Sequence, residues 1–171
     1  MLCDVMFTEV TTPKRIDTVA HLARKVWMEH YVPIIGEEQT EYMLKKFQSP
    51  EAIAGQIQSG NYLYFLIEPE KHPVGYLAVQ PQKEYLFLSK IYLEHALRGM
   101  GVGHKAIRFV EDLAKKLKKT VITLTVNRNN SDSIAAYSRW GFRIVDKVIT
   151  DIGSGFVMDD YVMQKQLSEE N

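Results

Sequence analysis

Arg98-Gly99-Met100-Gly101-Val102-Gly103 is the stretch from which the rest of the chain can be read. Lacking a Cβ, its glycines reach positive φ and bring backbone N–H groups close to a ligand. Upstream runs a strand-like segment, Tyr85 to Leu93. Downstream, from about Gly103 to Lys118, Ile107, Val110, Leu113, Ala114 and Leu117 recur at helical spacing. A glycine loop that opens a helix is an anion site, because unpaired N–H groups and a partial positive charge converge there. Helix-end electrostatics supply only about 0.3–2 kcal/mol. Several charge-assisted hydrogen bonds of ~1.5–3 kcal/mol each must provide the rest. The implied ligand is a phosphate or pyrophosphate. A magnesium-nucleotide loop is disfavoured, since Gly103 is followed by His104-Lys105-Ala106, with no hydroxyl after the lysine. A dinucleotide fingerprint is disfavoured too: the spacing is GxGxG, not GxGxxG.

Working outward, a short strand (Val5 to Thr11) precedes a helix opened by Thr12-Pro13. Ile16, Val19, Leu22, Ala23, Val26 and Trp27 form its apolar stripe, and Pro33 and Gly36 are expected to interrupt it. A second helical stretch begins at Thr40, and Ser49-Pro50-Glu51 reads as the cap of a short helix to about Gln58. Three strands follow, Tyr62 to Glu68, Val74 to Gln80 and Tyr85 to Leu93, joined by turns short enough for antiparallel hairpins. After the loop and its helix come a buried strand (Val121 to Val126), a short helix (about Ser131 to Trp140) and two strands, Phe142 to Thr150 and Phe156 to Gln164. The order is β-α-α-β-β-β-α-β-α-β-β, and the crossover from Leu93 to Val121 implies a parallel pair. The expected fold is a mixed α/β sheet, mostly antiparallel, in a single domain over residues 1–171.

Arg98-x-x-Gly101-x-Gly103 resembles the acetyl-CoA pyrophosphate loop of the GNAT superfamily of N-acetyltransferases, with the same strand-loop-helix setting. Many members carry proline shortly before the loop, where this chain has His95. The resemblance implies acetyl-CoA as cosubstrate, its pyrophosphate held by the backbone of Arg98, Gly99, Met100, Gly101, Val102, Gly103 and His104. The acetyl and pantetheine arm would lie along the strand ending at Leu93. A second segment, Asn130-x(6)-Tyr137-x(3)-Gly141-Phe142, is similar to a further pattern of the family. It implies that Asn130 contacts the pantetheine arm and that Tyr137 donates a proton to the departing thiolate. The chemistry is sensible: a phenol of pKa ~10 is protonated at neutral pH, whereas a thiol titrates near ~8.5. A sensor of acetyl-CoA with the same fold but no turnover is the second reading, and it would have no need of Tyr137.

The acceptor must arrive as a free amine. Stripping a proton from an amine of pKa ~10.4 at pH 7 costs roughly 4.6 kcal/mol, so a base or a water chain is needed. Glu94, Glu29, His30 and the pair Asp159-Asp160 are candidates, and Glu94 ranks first. Strand alternation puts it on one face with Tyr92, opposite Ile91 and Leu93. Trp27, Tyr31 and Asp160 are the expected acceptor-binding residues, with Tyr42, Glu29, Glu37 and Glu38 in the same regions; aromatics beside carboxylates suit a cationic amine. The segments around Trp27, Tyr42 and Asp160 resemble bacterial members of the family that acetylate polyamines. The acceptor expected is therefore a small amine or polyamine, with peptides as the alternative.

Composition agrees with this. Lys+Arg and Asp+Glu balance at 21 each, so no overall field draws the chain to nucleic acid or to an anionic membrane. The one cysteine, Cys3, excludes an intramolecular disulfide and any cysteine metal cluster. No metal, no membrane span and a cytoplasmic location are expected, and the late run Tyr161-Val162-Met163 is a candidate edge for a homodimer.

Overall fold

Two proline-bearing caps start the helical half of the molecule as their sequences dictate. Thr12 Oγ1 accepts the N–H of Arg15 and Ser49 Oγ that of Ala52, each followed by proline at the first helical position. The computed structural model describes residues 4–168, so Cys3 lies outside the described residues. The elements are β1 (Val5–Glu9), α1 (Pro13–Ile35), α2 (Glu37–Phe47), α3 (Pro50–Ser59), β2 (Leu63–Pro69), β3 (Gly75–Pro81), β4 (Tyr85–Leu93), a 3₁₀ turn (His95–Leu97), α4 (Val102–Lys116), β5 (Val121–Asn127), α5 (Ser131–Arg139), β6 (Arg143–Gly153) and β7 (Phe156–Gln166).

Three helices stand between β1 and β2, one more than the two counted in the expected order. Pro33 does not interrupt α1 either; it lies inside the last turn. Its missing N–H leaves the Glu29 carbonyl without an intrahelical donor, but this falls in the final turn, and the stripe of Val19, Leu22, Ala23, Val26 and Trp27 is already buried before it. Gly36 makes the break instead. With φ of 87° it turns the chain out of α1, while its N–H closes on Val32 O and its carbonyl accepts from Thr40 at the start of α2.

The sheet has seven strands in the order β1-β2-β3-β4-β5-β7-β6. All neighbours are antiparallel except β4 and β5, as the crossover through α4 requires. α4 packs on one face through Val102, Ala106, Ile107, Val110 and Ala114; α1, α2 and α3 cover the other around Trp27, Ile53, Tyr64 and Tyr76. Burying a Val or Ile side chain contributes about 1.5–3 kcal/mol, so this packing, more than any local preference, fixes where the helix begins. β7 lies between β5 and β6, which corrects the expectation that Tyr161-Val162-Met163 forms an edge: the free edges are β1 and β6. Among the described residues no helix is long and apolar enough to cross a membrane.

Two irregularities position the site. β4 pairs with β3 at Lys90↔Ala78 and then at Leu88↔Val79, so Ser89 is an extra residue, a bulge. It flips the alternation: Leu86 and Leu88 before it, and Ile91 and Leu93 after it, all face α4. Tyr92 faces α1, as alternation over 90–94 predicts. β4 and β5 also pair only from Tyr85↔Val121 to Leu88↔Leu124. Beyond that they part, and residues 89–93 keep a free backbone edge toward the gap.

Candidate active site

The gap between β4 and β5 opens into a cavity of about 490 Å³, walled by Ser89 to Leu93 on one side and Leu124 to Val126 on the other. Arg98, Gly99, Gly101, Gly103 and His104 close one end, α5 contributes Tyr137 with Trp140 just past its end, and α1 contributes His30 and Tyr31. A second groove, about 880 Å³, lies between β1 and α4 beside Phe7 and Arg108. It holds none of the residues the sequence singles out.

The glycines have different jobs. Gly99 and Gly101 adopt φ of 78° and 80° with open space where a Cβ would stand, so their need is conformational. Gly101 is the residue before α4, and no side chain caps that helix. Gly103 is helical; a Cβ there would sit 2.9 Å from Trp140 Cη2, so the loop is packed against the indole. His104 stacks parallel to the same ring, centroids 6.0 Å apart. Arg98 reaches the carbonyl of Leu93 at 3.5 Å, and Met100 is exposed. Val102 is buried, so only its backbone is available to a ligand.

On α5, Asn130 is 5% exposed and caps the helix: its Oδ1 accepts the Ser133 N–H at 3.3 Å, while its Nδ2 lies 2.8 Å from His30 Nε2. Tyr137 is half-buried between Trp140 and Phe142, and its hydroxyl has no hydrogen-bond partner among the described residues. Burial raises its pKa well above that of a free phenol, so it stays protonated.

The acceptor side is an aromatic cluster on the α1 face. The Tyr31 and Tyr92 hydroxyls are 2.7 Å apart, and Trp27 packs edge-on against both rings. Burial pushes Tyr31 up to about 12. Trp27 is 3% exposed, its Nε1 lacks a partner among the described residues, and it does not reach the cavity wall. Glu94 is ion-paired with Lys25 of α1 at 3.2 Å and is not part of that wall. Asp160, on β7 opposite Asn127, is 6% exposed. No hydrogen bond or ion pair satisfies its carboxylate among the described residues. Burial, then neighbouring Asp159, raises its pKa to about 6, and its charge is felt by Tyr31.

Residues 25–142 match the model of the Acetyltransferase (GNAT) family. The chain belongs to the GNAT acetyltransferase family. It is an acetyl-CoA-dependent N-acetyltransferase, which favours the enzyme over the sensor reading. It is similar to a spermidine N(1)-acetyltransferase of Thermoplasma acidophilum, 26% identical over 148 residues, covering 84% of this chain and 89% of that protein. Among solved structures, PaiA N-acetyltransferase from Thermoplasma acidophilum, in complex with coenzyme A, superposes with a TM-score of 0.81 at 21% identity, over 96% of this chain and 99% of that one. The ribosomal-protein-S18-alanine N-acetyltransferase from Escherichia coli gives 0.71 at 15% identity, over 98% and 97%. Both share the fold.

The chain's own residues fit acetyl-CoA. A helix start without a side-chain cap, two left-handed glycines and the guanidinium of Arg98 meet at one end of a slot whose β4 edge is unpaired. Sequence reasoning did not place Trp140 in the site, and it offered His30 as a base candidate rather than as a partner of Asn130. Trp140 lies inside the Tyr137-to-Phe142 segment, and the Gly103 contact is what gives it a role. His30 stands 100 residues from Asn130, and nothing local to either announces the bond.

Proposed function

We propose that this GNAT enzyme acetylates a primary amine of a small cationic acceptor, a diamine or polyamine, by direct attack on the acetyl thioester. The observation that carries this is Asp160: a residue 6% exposed whose carboxylate makes no hydrogen bond or ion pair among the described residues and whose charge reaches Tyr31 of the cavity wall, although Asp160 does not itself line that wall. Burial disfavours the charged form of this carboxylate, and an ammonium is the ligand that relieves it. The kinship with a Thermoplasma spermidine acetyltransferase supports the same class.

The proposed roles follow from placement. Backbone N–H groups from Arg98 to His104 hold the pyrophosphate, and the free edge of β4 up to Leu93 lines the pantetheine arm. Bound acetyl-CoA supplies an activated acetyl group. Tyr31 borders the acceptor, and Trp27 supports it from behind. Asp160 takes the ammonium proton; with a pKa near 6 it is ionised at pH 7 yet basic enough to accept. Glu94, the base candidate ranked first from the sequence, is already engaged by Lys25. Tyr137, protonated and unpartnered, gives its proton to the leaving thiolate.

A panel of amines assayed by free-thiol release tests the reading. Diamines and polyamines should stimulate release well above that of peptides. Total inactivity toward them discards this acceptor class, and thioester hydrolysis that no amine accelerates would return the sensor reading.

A further inference from the structure

Asn130 is tethered at both ends of its amide, and the two tethers together determine a proton on another residue. Its Oδ1 is committed to the Ser133 N–H, which fixes the amide orientation and leaves Nδ2 facing His30 Nε2 at 2.8 Å. Nδ2 carries only donors. His30 Nε2 must therefore be the acceptor, with the imidazole neutral and its proton on Nδ1. That removes His30 from the base candidates: the one ring nitrogen able to take a proton is the one Asn130 occupies. Both residues border the cofactor cavity. Among the described residues this is the side-chain hydrogen bond that joins α1, which carries Tyr31, to α5, which carries Tyr137.

We infer that His30 is a positioning residue: its bare Nε2 holds the Asn130 amide, so that α1 and α5 close on the cofactor slot as one wall. One amide hydrogen of Asn130 is spent on His30, and the other is left for a carbonyl of the pantetheine arm. Protonation of His30 would set donor against donor and open the wall. Burial and Arg98 keep the ring neutral, against a smaller opposing pull from Asp132. Tyr31, Tyr92, Tyr137 and His95 share the wall. The pH test below is therefore a difference between variants, which removes their contributions. The inference rests on acetyl-CoA occupying this cavity, as proposed.

The full-length protein with labelled histidine, followed by imidazole carbon and nitrogen shifts, should show His30 as the Nδ1–H tautomer, neutral down to below pH 6.5. Acetyl-CoA titrations by calorimetry then compare three proteins at pH 7.5 and at one pH unit below the His30 midpoint that those shifts report. His30→Leu should bind roughly 3- to 10-fold more weakly than wild type at pH 7.5. His30→Gln, whose Oε1 can accept the same hydrogen, should stay within about twofold of wild type. On acidification the wild type should lose affinity that His30→Gln keeps. An Nε2–H tautomer, a titration at or above 6.5, or unchanged affinity in a folded His30→Leu overturns the inference. Wild-type protein that ignores acetyl-CoA would instead sink the proposed cofactor cavity, and the tautomer would still decide the state of His30.

Discussion

At Tyr137 and Asp160 two acids are tuned the same way for opposite duties. Burial raises both pKa values, which keeps the phenol protonated as a donor and brings the carboxylate close to neutrality as an acceptor. Tyr137→Phe should lower turnover by ~10²–10⁴-fold while acetyl-CoA affinity, read by calorimetry, stays within about twofold. An unaltered rate at saturating substrate would remove the hydroxyl from the chemistry. For Asp160 the sign is set by a folded pKa of about 6 against an ordinary 3.8. The rate should fall as pH drops through about 6, and Asp160→Asn should lose that limb of the pH–rate profile. Glu94→Gln should keep it. The same shift means the folded protein binds a proton that the unfolded chain releases between those two values, so stability declines as pH rises through that window. At pH 7 the buried charge is therefore destabilising. Asp160→Asn should therefore melt higher than wild type at pH 7 and about equally at pH 4, while acetylating poorly. Tyr137 and Asn130 were legible because their spacing within one short helix is local. The burial of Asp160 was not, since its neighbours come from β5, β6 and α1.

The glycine loop, α4 and the bulged β4 act as one element, with tolerances that differ by position. Gly103→Ala drives a methyl into Trp140, and overpacking of this kind costs typically 1–3 kcal/mol. Gly101→Ala meets open space but must hold φ of 80°, a strain of roughly 1 kcal/mol or somewhat more. Denaturant melts of Gly103→Ala, Trp140→Ala and the double variant should be non-additive, the alanine being tolerated better once the indole is gone. Strict additivity would mean that the two residues do not meet. The stripe of α4 and the alternation of the strands were readable from hydrophobic period. Ser89 was not read as a bulge, because a single inserted residue leaves each flanking run correctly alternating and only reverses their relation.

Across the molecule, strand order is what the sequence least revealed. A β6–β7 hairpin can add to β5 by either strand, and local pattern does not choose between them. The structure places β7 inside and leaves β6 as an eleven-residue edge with Ile144, Val145 and Ile149 exposed, Ile149 at 70%. We propose that the homodimer expected from the late strands pairs through β6, since a long apolar edge is a template for another chain. Sedimentation should show a dimer that Ile149→Asp converts to a folded monomer; a monomeric wild type at high concentration dismisses it.

The close approach of Gly103 to Trp140 has an optical consequence. The chain has two tryptophans. Trp27 is sealed in the core behind Tyr31 and Tyr92, whereas Trp140 stands beside the glycine bend proposed to receive the pyrophosphate. A Trp27→Phe protein would emit from a single indole at the cofactor's door, so nucleotide arrival can be timed by fluorescence in a stopped-flow cell without a label.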